Sequence, residues 1–198
     1  MVDANRPDDD TALLAMHHAA RDAFSALVHG VAADGWSAPT ACSEWDARAL
    51  VRHVIDEQRW VPPLLAEQKT VTDVGDALSD DVLGADPAAA WDREAAAAYA
   101  AWDAPGALER EVSLSRGPTP ARAYATEMLT DLVIHGWDLA QGTHQPYVID
   151  EATAQLLYDF WSPHAAMLAQ SGMFAPPVDV PADAPASAKL LAFTGRQP

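Results

Sequence analysis

TPARAYATEMLTDLVIHGWDLAQG, the stretch from Thr119 to Gly142, predicts one long helix at the centre of the fold. Thr119 is a good N-cap residue and Pro120 suits a first helical turn, while Gly142 suits the left-handed residue just past a helix end. Between Pro120 and Gly142 only Gly136 could interrupt the helix. The other predicted elements are therefore placed around this helix.

One side of this helix carries titratable side chains among apolar ones. At about 100° per residue, an arc of roughly 80° holds Glu127, Asp131, His135 and Asp138. Burying such groups costs free energy unless they are paired, and a metal ion is one partner that would justify the arrangement. The alternative is an amphipathic helix whose acidic edge faces water, and this helix alone does not decide between the two.

The composition limits the kind of protein. A chain of 198 residues predicts a single domain over residues 1–198, with a helical body over 10–175 and an extended tail with a short terminal helix over 176–198. Its one cysteine, Cys42, excludes an intrachain disulfide and a cysteine-based zinc cluster. The net charge of −17 disfavours binding to nucleic acid and to anionic membranes.

The sequence also bears on where the protein resides. The acidic segment from Met1 to Asp10 has no apolar core, so it does not resemble a secretory signal. A continuous apolar run long enough to cross a bilayer is absent from the sequence. A cytoplasmic location is therefore expected.

Capping residues and apolar periodicity predict five helical segments with short connections. They are about 10–29, 46–60, 86–103, 119–142 and one that starts at Asp150 and is broken near Pro163. Alternation from Leu108 to Leu114 adds a short strand or extended crossover. The pattern favours an all-α antiparallel bundle, and ligand sites in such bundles form between facing helices. His53 on the second helix would matter if it met Asp131 and His135 across the bundle.

Three stretches carry a resemblance to a known family: PTACSEWDARALVRH (39–53), DLVIHGWDLA (131–140) and KLLAFTGRQP (189–198). They resemble an actinobacterial family of small metal-binding proteins. That family is similar to the N-terminal metal-binding domain of mycothiol-dependent maleylpyruvate isomerase, within the wider DinB/YfiT-like four-helix bundles. The resemblance extends over almost the whole chain, from Leu13 to Pro198.

The resemblance implies a metal site and a class of reaction. His53 matches the isomerase's helix-two histidine, and Asp131 and His135 match its carboxylate-x-x-x-histidine pair. These residues are expected to bind one divalent ion, with zinc as first choice and nickel, iron or manganese as alternatives. The implied activity is that of a metal-dependent thiol S-transferase or isomerase with mycothiol as cosubstrate. The implied partners are a small thiol and a small electrophile.

Further residues are expected near this site. Asp138 is expected to orient or cap rather than to bind the ion, although its position three residues after His135 lets it compete with Asp131 as ligand. Glu127 is two helical turns from His135, too far to share an ion with it. The remaining candidates for the site or its pocket are Glu57, Glu127, Trp137 and Tyr124.

Two departures from the isomerase keep other functions open. The isomerase has a glutamate at the place of Asp131, and it carries a second, C-terminal domain for which this sequence has no counterpart. Maleylpyruvate isomerisation itself is therefore not expected. The alternatives to an enzyme are a non-catalytic binding or sensing module and a structural or vestigial site, and a homodimer is a further expectation.

Overall fold

The computed structural model of the protein describes residues 6–78, 80–171 and 174–198, and most of these are helical. The chain divides into an N-terminal unit, Met1–Pro146, and a C-terminal unit, Tyr147–Pro198. The prediction of a mainly helical fold is confirmed. The prediction of one domain over residues 1–198 stays a prediction.

Helix starts in the N-terminal unit follow the aspartates that the sequence singles out as caps. Asp46 and Asp86 accept hydrogen bonds from the backbone N–H groups of Ala49 and Ala89, at 2.8 and 3.0 Å. Such caps satisfy N–H groups that the first helical turn leaves unpaired. The helices of this unit are α1 (Arg6–His29), α2 (Ala47–Val61), the short α3 (Val71–Val74), α4 (Pro87–Trp102) and α5 (Ala121–Thr143).

The long helices bury their apolar faces against one another. Helices α1 and α2 each pack against both α4 and α5. Large side chains fill the interior, and the fully buried ones include Phe24, Trp91, Leu50 and Met128. At about 25 cal/mol per Å² of apolar surface, burial of these faces is the main stabilising contribution.

A β-hairpin precedes α5, where the sequence predicted only one short strand. Strand β1 (Glu111–Leu114) pairs antiparallel with β2 (Gly117–Pro120). The prediction that Thr119 caps the helix is wrong, because Thr119 lies in β2 opposite Val112. The chain leaves the hairpin at Pro120, and α5 begins at Ala121 without a side-chain cap.

Helix α5 also ends later than the sequence predicted. It continues to Thr143, and the left-handed residue is His144 with φ 56°, so the assignment of Gly142 to that position is wrong. Glycine is required at position 142 for a different reason, which is the close approach of another backbone segment. A Cβ there would lie 2.6 Å from the carbonyl oxygen of Pro39 and 3.0 Å from Cα of Thr40. The loop before α2 therefore packs directly on the last turn of α5.

The segment between α2 and α4 contains a π-helical turn and several buried residues. Pro62 and Pro63 end the regular helix, as expected, and residues Pro62–Ala66 form a π-helical turn. The buried residues Val74, Val82 and Leu83 then hold this segment to the protein interior.

The C-terminal unit is built from α6 (Glu151–Trp161), α7 (Ala165–Ser171) and α8 (Ala186–Phe193). Asp150 caps α6, and a 3₁₀ turn at Ser162–His164 separates α6 from α7 at Pro163, as the sequence predicted. Helix α8 packs against α6. Among the described residues, no helix combines the length and the apolar character needed to cross a membrane.

His17 on α1 is completely buried and hydrogen-bonded. Its Nε2 lies 2.7 Å from the Ala125 carbonyl oxygen, and its Nδ1 lies 2.9 Å from the Tyr99 hydroxyl. Burial, the largest influence, lowers the pKa of His17 to about 4. The ring is therefore neutral in the folded protein, with the Nε2–H donated to the carbonyl.

This burial predicts that the protein loses stability as the pH falls. The unfolded chain binds a proton at His17 near pH 6.5, whereas the folded protein does so only near pH 4. The contribution of the neutral His17 ring to the free energy of unfolding is complete above pH 6.5. As the pH falls from 6.5 to 4, up to about 3 kcal/mol of it is lost. Urea unfolding across this range should show a smaller pH dependence for His17→Gln than for the wild type. Equal slopes for the two proteins would contradict the assignment.

Candidate metal centre

Three side chains from two helices converge on the seam between α2 and α5. Nε2 of His53, on α2, lies 3.7 Å from Oδ2 of Asp131, on α5. One turn further along α5, Nε2 of His135 lies 4.0 Å from Oδ1 of the same carboxylate. One donor atom from each residue lies within 4.8 Å of the other two. Within the described ranges, these are the histidine, cysteine or carboxylate side chains that lie close enough, three together, to share an ion.

The spacing and chemistry of these atoms fit a divalent ion. Two metal–ligand bonds of about 2.0–2.2 Å that meet at a tetrahedral angle separate their donor atoms by roughly 3.3–3.6 Å. The separations of 3.7 and 4.0 Å involve different oxygens of Asp131, and one donor atom from each residue lies within 4.8 Å of the other two, so modest side-chain shifts would close the set around an ion. His53 and Asp131 are half-buried and His135 is buried, so one side of the cluster remains open to small molecules.

Asp138 lies behind His135 and orients its ring. Oδ2 of Asp138 lies 3.1 Å from Nδ1 of His135, and the Asp138 side chain is completely buried. With Nδ1–H donated to this carboxylate, the Nε2 lone pair points towards Asp131. The geometry therefore places Asp138 on the opposite edge of the imidazole from Asp131, in the orienting position that the sequence favoured.

Trp45 covers the two imidazoles. Its ring centroid lies 4.6 Å from that of His53, with planes 32° apart, and 5.5 Å from that of His135. Thr40 holds this loop in place, because its hydroxyl donates to the Trp45 carbonyl at 2.7 Å. Trp45 was not identified from the sequence as part of the cluster. Its position in the stretch just before α2 was the available signal.

The charges around the cluster favour bound protons at neutral pH. Burial, followed by the charge of Asp131, raises the pKa of Glu57 to about 7. For His53, burial is the largest influence and opposes protonation, yet the attraction of the nearby Asp131 carboxylate outweighs it and raises the pKa. Because metal ligands must be deprotonated, an ion would have to displace protons from this site.

The other predicted pocket residues differ in how close they lie to the donor cluster. Glu127 is half-buried and pairs with Arg116 in the hairpin turn, at 2.5 Å, so its carboxylate lies outside the donor cluster. Tyr124 is buried two turns before Asp131 on the same face of α5. Trp137 does not join them, because an α-helix turns about 200° over two residues and directs Trp137 away from His135. Sequence reasoning did not identify the pairing of Arg116.

The chain was compared with known proteins. The family model of the mycothiol maleylpyruvate isomerase N-terminal domain matches residues 17–140, which include His53, Asp131 and His135. Two proteins of Mycobacterium tuberculosis, from strains CDC 1551 / Oshkosh and ATCC 25618 / H37Rv and both named as uncharacterized proteins, are similar to the chain. Each is 34% identical over 145 residues, which is 71% of this chain and 72% of the relative. No solved structure gives a significant match.

The raised pKa of Glu57 predicts how the metal-free protein responds to alkaline pH. Its folded pKa of about 7 exceeds the value of 4.5 expected in the unfolded chain. Below pH 4.5 the Glu57 carboxyl is protonated in both the folded and the unfolded chain and does not destabilise the fold. As the pH rises through 7, the free energy of unfolding falls because the unfolded chain ionises this carboxyl more readily. With a chelator present at pH 8, Glu57→Gln should therefore be more stable than the wild type, by up to about 3 kcal/mol. Urea unfolding measures this, with Glu44→Gln at an exposed site as the control, and equal stability would count against the assignment.

The close approach at Gly142 predicts that a methyl group there disturbs the loop that carries Trp45. Gly142→Ala should lower the free energy of unfolding by about 1–3 kcal/mol, because the backbone of Pro39 and Thr40 must move. It should also weaken the near-UV circular dichroism that packed tryptophans give. Gln141→Ala, on an exposed side chain of the same helix, is the matched control. If both variants behave like the wild type, the loop is not held by this contact.

Proposed function

The chain belongs to the family of the mycothiol maleylpyruvate isomerase N-terminal domain, and on this premise we propose that it is a divalent-metal protein. Its proposed activity is that of a thiol S-transferase or isomerase-like enzyme acting on a small electrophile. We further infer that α1, α2, α4 and α5 form the DinB/YfiT-like antiparallel four-helix bundle. The pairwise packing of α1 and α2 against α4 and α5 supports that inference.

The convergence of His53, Asp131 and His135 is the observation that carries the proposal. Three protein ligands leave at least one coordination position for a small molecule, as in catalytic zinc sites, whereas structural sites use four. Zinc is the first choice, and nickel, iron and manganese remain alternatives because imidazole and carboxylate ligands discriminate weakly among them.

The residues around the cluster have distinct roles in this proposal. When bound, the ion supplies Lewis acidity, which lowers the pKa of a coordinating thiol and makes its sulfur nucleophilic at neutral pH. Asp138 fixes the orientation of the His135 ring, and Trp45 shields both imidazoles from water. Glu57 lies one turn after His53 on α2, and its carboxylate can accept the proton that a thiol gives up.

Mycothiol is the proposed cosubstrate because the matching family is named for it. The sulfur would come from this small molecule, so the reaction does not need Cys42. The second partner is a small electrophile.

A non-catalytic binding or sensing module is the second candidate. The family model that matches describes one domain of the isomerase, and a domain match alone does not bring that enzyme's activity with it. The two candidates make the same prediction for metal binding and differ in turnover. Consumption of mycothiol in the presence of an electrophile panel, dependent on added metal, would support the enzyme; metal binding without consumption would support the module.

Metal analysis tests the site itself. The purified wild type should bind about one zinc ion per chain, and His53→Ala or His135→Ala should lose it because each removes one of three donors. Asp138→Asn should retain the site but weaken zinc affinity by about 10–100-fold, as expected for a residue that orients a ligand. His29→Ala, a half-exposed histidine on α1 that pairs with Asp92, is the control and should bind zinc normally. Unchanged metal content in His135→Ala would refute the proposal.

A further inference from the structure

The seam between α2 and α5 continues past the metal centre into the interior. Helix α2 runs antiparallel to α5 here. His53 lies beside Asp131 and His135, whereas Glu57, one turn later on α2, is influenced by the charges of Asp131 and Glu127, and Glu127 is one turn earlier on α5. Tyr124 follows on α5, one turn before Glu127 and Met128. The charges of Glu57, Asp131 and Glu127 act on the Tyr124 hydroxyl, which places this group at the inner edge of the acidic cluster.

Three polar side chains of this interior are buried and have no hydrogen-bond partner among the described residues. They are Gln58, at both amide atoms, Trp102, at Nε1, and Tyr124, at its hydroxyl. Gln58 and Trp102 are completely buried, and Tyr124 is 4% exposed. The rings of Trp102 and Tyr124 lie 5.5 Å apart. Buried polar groups are nearly always hydrogen-bonded, so the adjacent Trp102 and Tyr124 call for a partner from outside the chain.

Tyr99 is a buried tyrosine of the same interior whose hydroxyl is hydrogen-bonded within the protein. It lies on α4, its hydroxyl contacts Nδ1 of His17 at 2.9 Å, and it lies 2.8 Å from the His17 carbonyl oxygen. The fold thus places two hydrogen-bonding groups against the hydroxyl of Tyr99 and, among the described residues, none against that of Tyr124. This difference sets Tyr124 apart from an ordinary core tyrosine.

We propose that Tyr124, Trp102 and Gln58 line a hydrogen-bonding subsite next to the metal centre, which takes an uncharged carbonyl or amide group of the small molecule bound there. This inference rests on the proposed function and specifies the class of its substrate. The ion would hold the sulfur end of a ligand, and the subsite would bind a neutral oxygen-bearing group about two helical turns away.

The chemistry of the side chains selects this class. An indole N–H can only donate, and a carbonyl oxygen accepts two hydrogen bonds, one each from Trp102 and Tyr124. Burial, with the nearby carboxylates, raises the pKa of Tyr124, which therefore remains a donor. The Gln58 amide can donate as well as accept, and it suits the N–H of a ligand amide. A carboxylate in the same place would have to give up its hydration in a buried site, which costs far more than burying a neutral carbonyl group.

A first experiment compares two matched variants without any ligand. Tyr99→Phe should lower the urea midpoint of the metal-free protein, because it removes the partner of His17. Tyr124→Phe should leave the midpoint unchanged or raise it, because it removes a hydroxyl that the chain does not satisfy. A loss in Tyr124→Phe as large as that in Tyr99→Phe would overturn the proposal, since the hydroxyl would then be structural.

A second experiment measures binding to the zinc-loaded protein. Asp131 and Tyr124 are about 10 Å apart along α5, so the probes are ω-mercapto amides of three to six carbons, each paired with the mercapto carboxylate of equal length. By calorimetry, the best amide should bind at least about 10-fold tighter than its carboxylate. Tyr124→Phe should weaken only the amide, by about 3–10-fold, and should bind zinc as the wild type does. Equal amide affinity in both proteins would overturn the proposal.

A third readout separates this proposal from the metal site. The indole N–H resonance of Trp102, identified by its loss in Trp102→Phe, is followed as propionamide is added to metal-free protein. A shift in the wild type that is reduced in Tyr124→Phe supports the subsite even if zinc does not bind. Normal zinc binding without amide preference or shift would reject the subsite alone, leaving the buried groups satisfied by water only.

Discussion

A carboxylate held between two imidazoles, on helices that run in opposite directions, is the interaction on which the interior of the N-terminal unit depends. Asp131 lies within 4.0 Å of a ring nitrogen of both His53 and His135. His53 and Asp131 are half-buried, so facing one another across the seam offsets part of the cost of removing their polar groups from water. Helices α2 and α5 are therefore joined by a polar contact as well as by apolar burial.

Irregular segments complete this contact at both ends of α5. The loop before α2 rests on the last turn of α5 at Gly142 and carries Trp45 over the imidazoles. At the other end, the turn of the β-hairpin carries Arg116 to Glu127. Regular helices supply the donor atoms, and loops supply the groups that orient, shield and neutralise them. This division is common because loops adjust to a site more readily than helices do.

Local signals made part of this structure predictable. The caps Asp46, Asp86 and Asp150 act within one helical turn, so residue type and spacing identify them. The stripe of Asp131, His135 and Asp138 follows from helical periodicity, and the family resemblance pointed to His53 as its partner. Other features depend on contacts between distant segments: the second strand pairs back on β1, Gly142 is set by Pro39, and His17 is buried by Tyr99 and Ala125. No local pattern carries such information.

The contact between Gly142 and the Pro39 carbonyl oxygen has an evolutionary consequence. At 2.6 Å a Cβ has no room, so a relative with any larger residue at this place must route its loop differently. Positions 39, 40 and 142 are then bound to change as a group during divergence. Glycine at position 142, rather than the donor residues, would then mark the lineages that retain an indole over the paired rings.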